Sequence, residues 1–263
     1  MPINFQNKPA LVAYVTCGHP DLATTREIIL AAVDAGADVI ELGVPFSDPE
    51  ADGPVIQRAS ERALQNGTTL EKVLRMASEI RRRSQVGLII FSYYNPILRY
   101  GVKRFASTLE DSGVDGGLMT DLPPDEAQDY LREMRERRLA TVFLAAPTST
   151  DRRLKQVAQA STGFVYAVSR TGVTGARHEI ADDASRLVSR IRKFTRLPVA
   201  VGFGISTPEQ FSDVGRFADA AVVGSAIVQT VERNPEKEPE AVAEFIRQLI
   251  GRNRQSSATS AKG

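Results

Sequence analysis

The sequence predicts an α/β protein, a closed (β/α)8 barrel with a parallel eight-stranded sheet and short extra helices. Three observations carry that prediction. Eight short apolar, β-branched runs recur at even intervals. Stretches of helical period separate them. The chain has 263 residues, and barrels of this kind commonly take about 250 residues as one domain.

The runs cover 10–15, 39–42, 87–91, 116–119, 140–144, 163–168, 198–201 and 220–223. They are apolar almost throughout, as suits strands covered on both faces of a parallel sheet. Between them lie helical stripes: Leu70, Val73, Leu74 and Ala77; Phe105, Ala106 and Leu109; Ala184, Leu187, Val188 and Ile191; Val242, Phe245, Ile246 and Leu249. Asp21, Asp125, Asp151 and Thr207-Pro208 mark helix starts. Eight βα units in series close into a barrel or open into a doubly wound sheet. Even spacing and length favour the barrel, as one domain over 1–251. Residues 252–263 are polar and rich in Ser, Ala and Thr, and are expected to be a disordered tail.

Composition narrows the function. Net charge is +1 from 33 basic and 32 acidic residues, which gives no electrostatic reason to expect nucleic acid or an anionic membrane. No apolar run approaches the ~20 residues of a membrane span, and the first residues lack the basic-then-apolar pattern of a secretory signal. The one cysteine, Cys17, suits a reducing, cytoplasmic setting. It reads as a packing residue, because no base has the spacing to activate it.

In such a barrel, chemistry sits on the loops after the strands. Glu41 interrupts the apolar run 39–42 and is either an ion-paired core residue or a carboxyl aimed into the barrel mouth. The acidic, proline-punctuated loop that follows returns a second carboxylate, Asp52. Two carboxylates in unlike settings can hold an acid and a base in one site, and a Glu in an apolar mouth should have a raised pKa. After the seventh and eighth runs come Gly202-Phe203-Gly204-Ile205-Ser206 and Gly224-Ser225-Ala226. Glycine turns at these strands let backbone N–H groups approach a phosphate, and a helix opened by Ser225 adds its positive end. The alternative is that they merely make tight turns. The loop after the sixth run, Ser169-Arg170-Thr171-Gly172-Val173-Thr174-Gly175-Ala176, suits a mobile lid or an ordinary surface loop.

Other chemistries find no support. None of the lysines falls at the C-terminal end of a predicted strand, so a Schiff base is not expected. His19 and His178 lie far apart with no metal-ligand spacing around them, and His19 reads as a loop or cap residue. The runs Arg81-Arg82-Arg83 and Arg135-Glu136-Arg137-Arg138 read as solvated charges closing helices. Carboxylate acid–base chemistry on a small phosphorylated substrate remains.

The stretch Glu41-Leu42-Gly43-Val44-Pro45-Phe46-Ser47-Asp48-Pro49, continuing through Ala51-Asp52-Gly53-Pro54, resembles the signature of the tryptophan synthase alpha chain family. So do Tyr93-Tyr94-Asn95-Pro96, Asp121-Leu122-Pro123-Pro124, the motif 169–175 and the turn 202–206. The resemblance implies a lyase that splits indole-3-glycerol phosphate into indole and glyceraldehyde 3-phosphate. It implies that Glu41 is the general acid/base and that Asp52 meets the indole N–H. Tyr14, Tyr166 and Phe203 would line the substrate pocket, with Thr174 closing on Asp52 from the lid. Gly175, Gly204, Gly224 and Ser225 would hold the phosphate. It further implies no cofactor in this chain, and a beta-chain partner carrying pyridoxal phosphate in an α2β2 tetramer, faced by Asp48, Asn95 and Pro96. Three rival functions stay open: a stand-alone indole-releasing lyase, another phosphate-binding barrel such as an isomerase or cyclase, and a non-catalytic activator of a beta-type partner.

The chain also departs from the family's pattern. The segment before the first strand is short, and Phe5 is expected to help cover the barrel floor. His19 stands where the family commonly has Asp, Glu50 where a small or apolar residue is usual, and Thr120 where Pro or Ala is frequent.

Overall fold

The structure, a computed structural model, describes residues 3, 5, 7–168, 177–202 and 204–251, with the backbone alone for 177–181. In chain order the elements are β1 (Ala10–Thr16), α1 (Leu22–Ala35), β2 (Val39–Gly43), α2 (Pro54–Gln65), α3 (Leu70–Arg83), β3 (Gly87–Ser92), α4 (Tyr94–Tyr100), α5 (Val102–Asp111) and β4 (Gly116–Met119). Then follow α6 (Gln128–Glu136), β5 (Ala140–Ala145), α7 (Asp151–Ala160), β6 (Val165–Val168), α8 (Arg177–Ile191), β7 (Val199–Gly202), α9 (Pro208–Val214), β8 (Ala220–Val223), α10 (Ser225–Arg233) and α11 (Glu238–Leu249). All eight strands pair parallel in sequence order, and β8 returns to β1 through Ala10↔Ala220 to Ala13↔Val223. The closed barrel expected from the sequence is the fold observed.

Strand side chains alternate between two cores. Val12, Val39, Ile89, Leu118, Val142 and Phe164 fill the barrel. Leu11, Ile40, Leu88, Phe143, Val201 and Val223 face the surrounding helices. All of the predicted helical stripes are buried except Phe245, which is partly buried against the same core. Ile3 and Phe5 pack at the floor, the Phe5 ring 5.6 Å from that of Phe164.

One device recurs four times at that floor. A side chain just ahead of each even-numbered strand, the preceding residue at β2, β4 and β8 and the third residue before β6, accepts a backbone N–H from the strand before it. Leu11 N donates to Asp38 Oδ2 at 2.8 Å, Leu88 N to Asp115 Oδ2 at 2.8 Å, Thr141 N to Thr162 Oγ1 at 2.9 Å and Val199 N to Asp219 Oδ2 at 2.9 Å. Each satisfies a donor that the pairing ladder leaves open, where burial makes an unmet N–H costly.

Helix starts follow local chemistry, with two corrections. Asp21 caps α1, and Thr207 forms a reciprocal capping box with Gln210 ahead of Pro208. Asp125 does not open a helix: the chain first turns through Glu126 N→Pro123 O, α6 begins at Gln128, and Asp125 ion-pairs Arg153. Asp151 is the first residue of α7, whose cap is Thr150. The arginine runs also need revision. Arg81 is not simply solvated, since it donates to Gly113 O at 2.7 Å and pairs with Asp115 at 2.7 Å, joining α3 to the floor below β4. Arg137 pairs with the buried Glu133 at 3.0 Å.

Candidate active site

β2 carries the central carboxyl. Val39 faces the barrel interior, so strand alternation turns Glu41 and Gly43 the same way. Glu41 stands in register with Tyr14 on β1 and Ile89 on β3. It is 0% exposed, and neither carboxyl oxygen has a hydrogen-bond partner among the described residues. The ion-paired core reading is therefore not what the fold shows. Burial alone pushes its pKa up to about 8.

Asp52 lies at the end of the loop after β2, just before α2, whose entry is set by Gly53 and Pro54. It is half-buried, and burial raises its pKa to about 6 against the lowering effect of a hydrogen bond from Tyr93. The Tyr93 hydroxyl donates to Asp52 Oδ2 at 3.2 Å and accepts the Ala51 N–H at 2.9 Å. Phe46 stacks on the Tyr93 ring with centroids 4.9 Å apart. The sequence reading gave Tyr93 no role beyond its place in the motif Tyr93-Tyr94-Asn95-Pro96. Its position directly after β3 was the available signal.

Two more expected residues join this cluster. Tyr14 and Tyr166 are raised well above the ordinary tyrosine range, first by burial. Asp52 and then Glu41 push Tyr14 further, and Glu41 leads the charges acting on Tyr166. Tyr14 meets Phe91 edge-on at 5.1 Å and packs with Val55, Ile56, Ala59 and Val228 into an apolar wall.

The glycine turns share that rim. A Cβ at Gly224 would lie 3.4 Å from Tyr14 Cβ, so the start of α10 borders the same mouth. Among the described residues no side chain caps α10, which leaves its first N–H groups to a ligand or solvent. Gly204 takes φ +79, a left-handed conformation that favours glycine, at the turn after β7. Thr174 and Gly175 with the rest of the expected lid 169–176, Phe203 in the turn after β7, and the tail 252–263 lie outside the described residues. Asp48 and Asn95 are exposed on the same rim and Pro96 is partly exposed.

Among the described residues no cluster of His, Cys, Asp and Glu could hold a metal ion, and no helix is long and apolar enough to cross a membrane. Burial raises the Cys17 thiol far above its ordinary range, away from nucleophilic use.

Fold and rim together define the class: a (β/α)8 barrel with two carboxyls of raised and unequal proton affinity at the mouth of its strands. The family model described as "Tryptophan synthase alpha chain" matches residues 2–257. The alpha chain of Solibacter usitatus is 53% identical over 88% of this chain and 86% of that protein. That of Dehalococcoides mccartyi is 49% identical over 93% and 95%. A structure of Mycobacterium tuberculosis tryptophan synthase superposes with a TM-score of 0.86 at 38% identity, covering 95% of this chain and 94% of that one. A structure of the tryptophan synthase complex from Pyrococcus furiosus superposes at 0.85 with 40% identity, covering 93% and 98%. The chain belongs to the tryptophan synthase alpha chain family. It is thus an enzyme subunit, a lyase of tryptophan biosynthesis, in a family that works with a beta chain.

Proposed function

We propose that this chain cleaves indole-3-glycerol phosphate by a retro-aldol reaction, with Glu41 as acid/base and Asp52 as its electrostatic partner. The observation that carries the assignment is the buried Glu41 carboxyl, without a partner among the described residues, acting on the same two tyrosines, Tyr14 and Tyr166, as a second carboxylate of lower proton affinity. Indole leaves poorly until its C3 is protonated. Protonated Glu41 delivers that proton, giving an indolenine with positive charge at the ring nitrogen. Ionised Asp52 accepts the N–H and stabilises that charge. The hydroxyl on the side-chain carbon bound to C3 then loses its proton to Glu41. Its electrons form the aldehyde carbonyl, the carbon–carbon bond breaks, and the bonding pair restores the aromatic ring. Glu41 ends the cycle protonated.

Tyr14 and Tyr166 line the pocket in this scheme, with Phe203 beside them and Thr174 closing from the lid. Gly204, Gly224, Ser225 and Gly175 hold the phosphate through backbone N–H groups and the positive end of α10. Asp48, Asn95 and Pro96 face the beta chain in an α2β2 tetramer, which receives indole directly and carries the pyridoxal phosphate, so that this chain needs no cofactor of its own. The setting is the cytoplasm.

The test is indole release from indole-3-glycerol phosphate by the purified chain, with and without a beta chain. Slow release that the beta chain accelerates is the expected result. Fast release unaffected by the beta chain points to a stand-alone lyase. No release in either condition overturns the assignment.

A further inference from the structure

Tyr14 belongs to the apolar wall of the mouth, yet its hydroxyl is polar and placed with care. The side chain is 5% exposed. The hydroxyl lies against Gly43, where a Cβ would stand only 2.4 Å from its oxygen. No Cβ contact of that length is tolerated, so glycine at 43 is what lets the hydroxyl rest on β2. Gly43 is two residues beyond Glu41 on the same inward face of that strand. The Tyr14 hydroxyl therefore rests on β2 one inward position beyond Glu41, where the charges of Asp52 and Glu41 both act on it.

The hydroxyl oxygen already accepts a hydrogen bond, from Thr16 Oγ1 at 3.4 Å. Thr16 is itself 1% exposed and points inward two residues further along β1. With its oxygen turned toward Thr16, the hydroxyl hydrogen is aimed elsewhere, and a buried donor of this kind is costly to leave unmet. Tyr14 keeps that hydrogen at every working pH, since burial and the neighbouring carboxylates hold it protonated. The neutral Glu41 carboxyl takes no bond from it in the resting structure. Ionisation changes the balance, because an anionic acceptor forms a stronger, shorter bond than a neutral one.

We propose that the Tyr14 hydroxyl, oriented by Thr16, donates a hydrogen bond to Glu41 whenever Glu41 is ionised, making Tyr14 and Thr16 positioning residues for its proton transfers. This rests on the acid/base role given to Glu41 above. The bond stabilises the carboxylate in the interval between proton delivery and proton recovery. Tyr166, whose hydroxyl lies against Gly202 on β7, provides the opposite wall.

Tyr14→Phe keeps the ring and its contact with Phe91, so the fold is retained. The direct readout is the titration of Glu41 by carbon-13 NMR in protein labelled at glutamate, assigned with Glu41→Gln. In Tyr14→Phe the midpoint should rise by about one pH unit, with a smaller rise in Thr16→Val and recovery in Thr16→Ser. With the substrate, kcat should fall roughly ten-fold with little change in KM. A Glu41 midpoint equal to that of the parent in Tyr14→Phe overturns the proposal, as does a rise in KM alone, the mark of lost packing. The NMR midpoint is read without turnover, so it decides the Tyr14 bond even where the parent protein releases no indole.

Discussion

The Tyr93 hydroxyl bridges the end of β3 to the loop after β2, donating to Asp52 Oδ2 at 3.2 Å while holding the Ala51 N–H at 2.9 Å. One side chain thus sets both the place of the second carboxylate and its proton affinity. Asp52 would titrate higher still without this donor.

Tyr93→Phe should therefore raise the Asp52 pKa above its value of about 6. More Asp52 is then protonated at neutrality and cannot meet the indole N–H. In the parent, kcat/KM is expected to be bell-shaped, with limbs near 6 for Asp52 and near 8 for Glu41. The variant should lose several-fold in kcat/KM at pH 6.5 and less at pH 7.5, as its acid limb moves up. An acid limb in the same place in both proteins would remove Tyr93 from the mechanism.

Glu41→Gln should bind substrate and lose cleavage by several orders of magnitude, measured as single-turnover indole release. The same change should stabilise the fold on the alkaline side. The folded pKa of Glu41, about 8, lies above its ordinary value of 4.5. As pH rises through 4.5 the unfolded chain gives up the proton first, and stability falls until pH passes about 8. Glutamine has no such proton. The melting temperature of the variant relative to the parent should be several degrees higher at pH 9 than at pH 5, and an unchanged difference would falsify the buried, neutral carboxyl.

His19 should produce the opposite slope. It is 4% exposed, and neither ring nitrogen has a partner among the described residues. Burial lowers its pKa; Glu232 of α10 and Glu238 of α11 pull it up, while Arg62 of α2 pushes it down. Because the folded pKa lies below the ordinary 6.5, the unfolded chain takes up the proton first and stability drops as pH falls through 6.5. Denaturant midpoints at pH 7.5 and pH 5.5 measure the drop, which His19→Asn should reduce. Equal drops in both proteins would show that His19 does not carry it.

At the floor, Asp115 accepts Leu88 N at 2.8 Å and pairs with Arg81. Asp115→Ala leaves a strand N–H unmet and takes the carboxylate from the partly buried Arg81 guanidinium, which keeps its bonds to Gly113 O and Ser84 O, and should cost about 2 kcal/mol in chemical denaturation. Activity at low denaturant should stay near that of the parent, because the site lies at the opposite end of the strands. A large loss of turnover in a folded variant would contradict that separation.

Much of this was legible along the chain because it is local or periodic. The eight apolar runs became β1 to β8, and the stripes at Leu70, Phe105, Ala184 and Val242 became buried helix faces. The helix starts marked by Asp21 and Thr207-Pro208 also act within a few residues. Glu41 could also be picked out, since a charge inside an apolar strand must face a cavity or a partner, and the acidic, proline-punctuated loop that follows pointed to Asp52. What sequence could not supply depends on barrel closure, which alone brings distant segments together. Closure left Glu41 with no ion-pair partner among the described residues, tied Tyr93 to Asp52 across 41 positions, and drew Arg81 out of a run of surface charges to Asp115. It also laid the Tyr14 hydroxyl on Gly43 of the neighbouring strand. Hydrophobic period reports which face a residue takes; only the closed, twisted sheet decides what stands opposite it, and with that the proton affinities the chemistry uses.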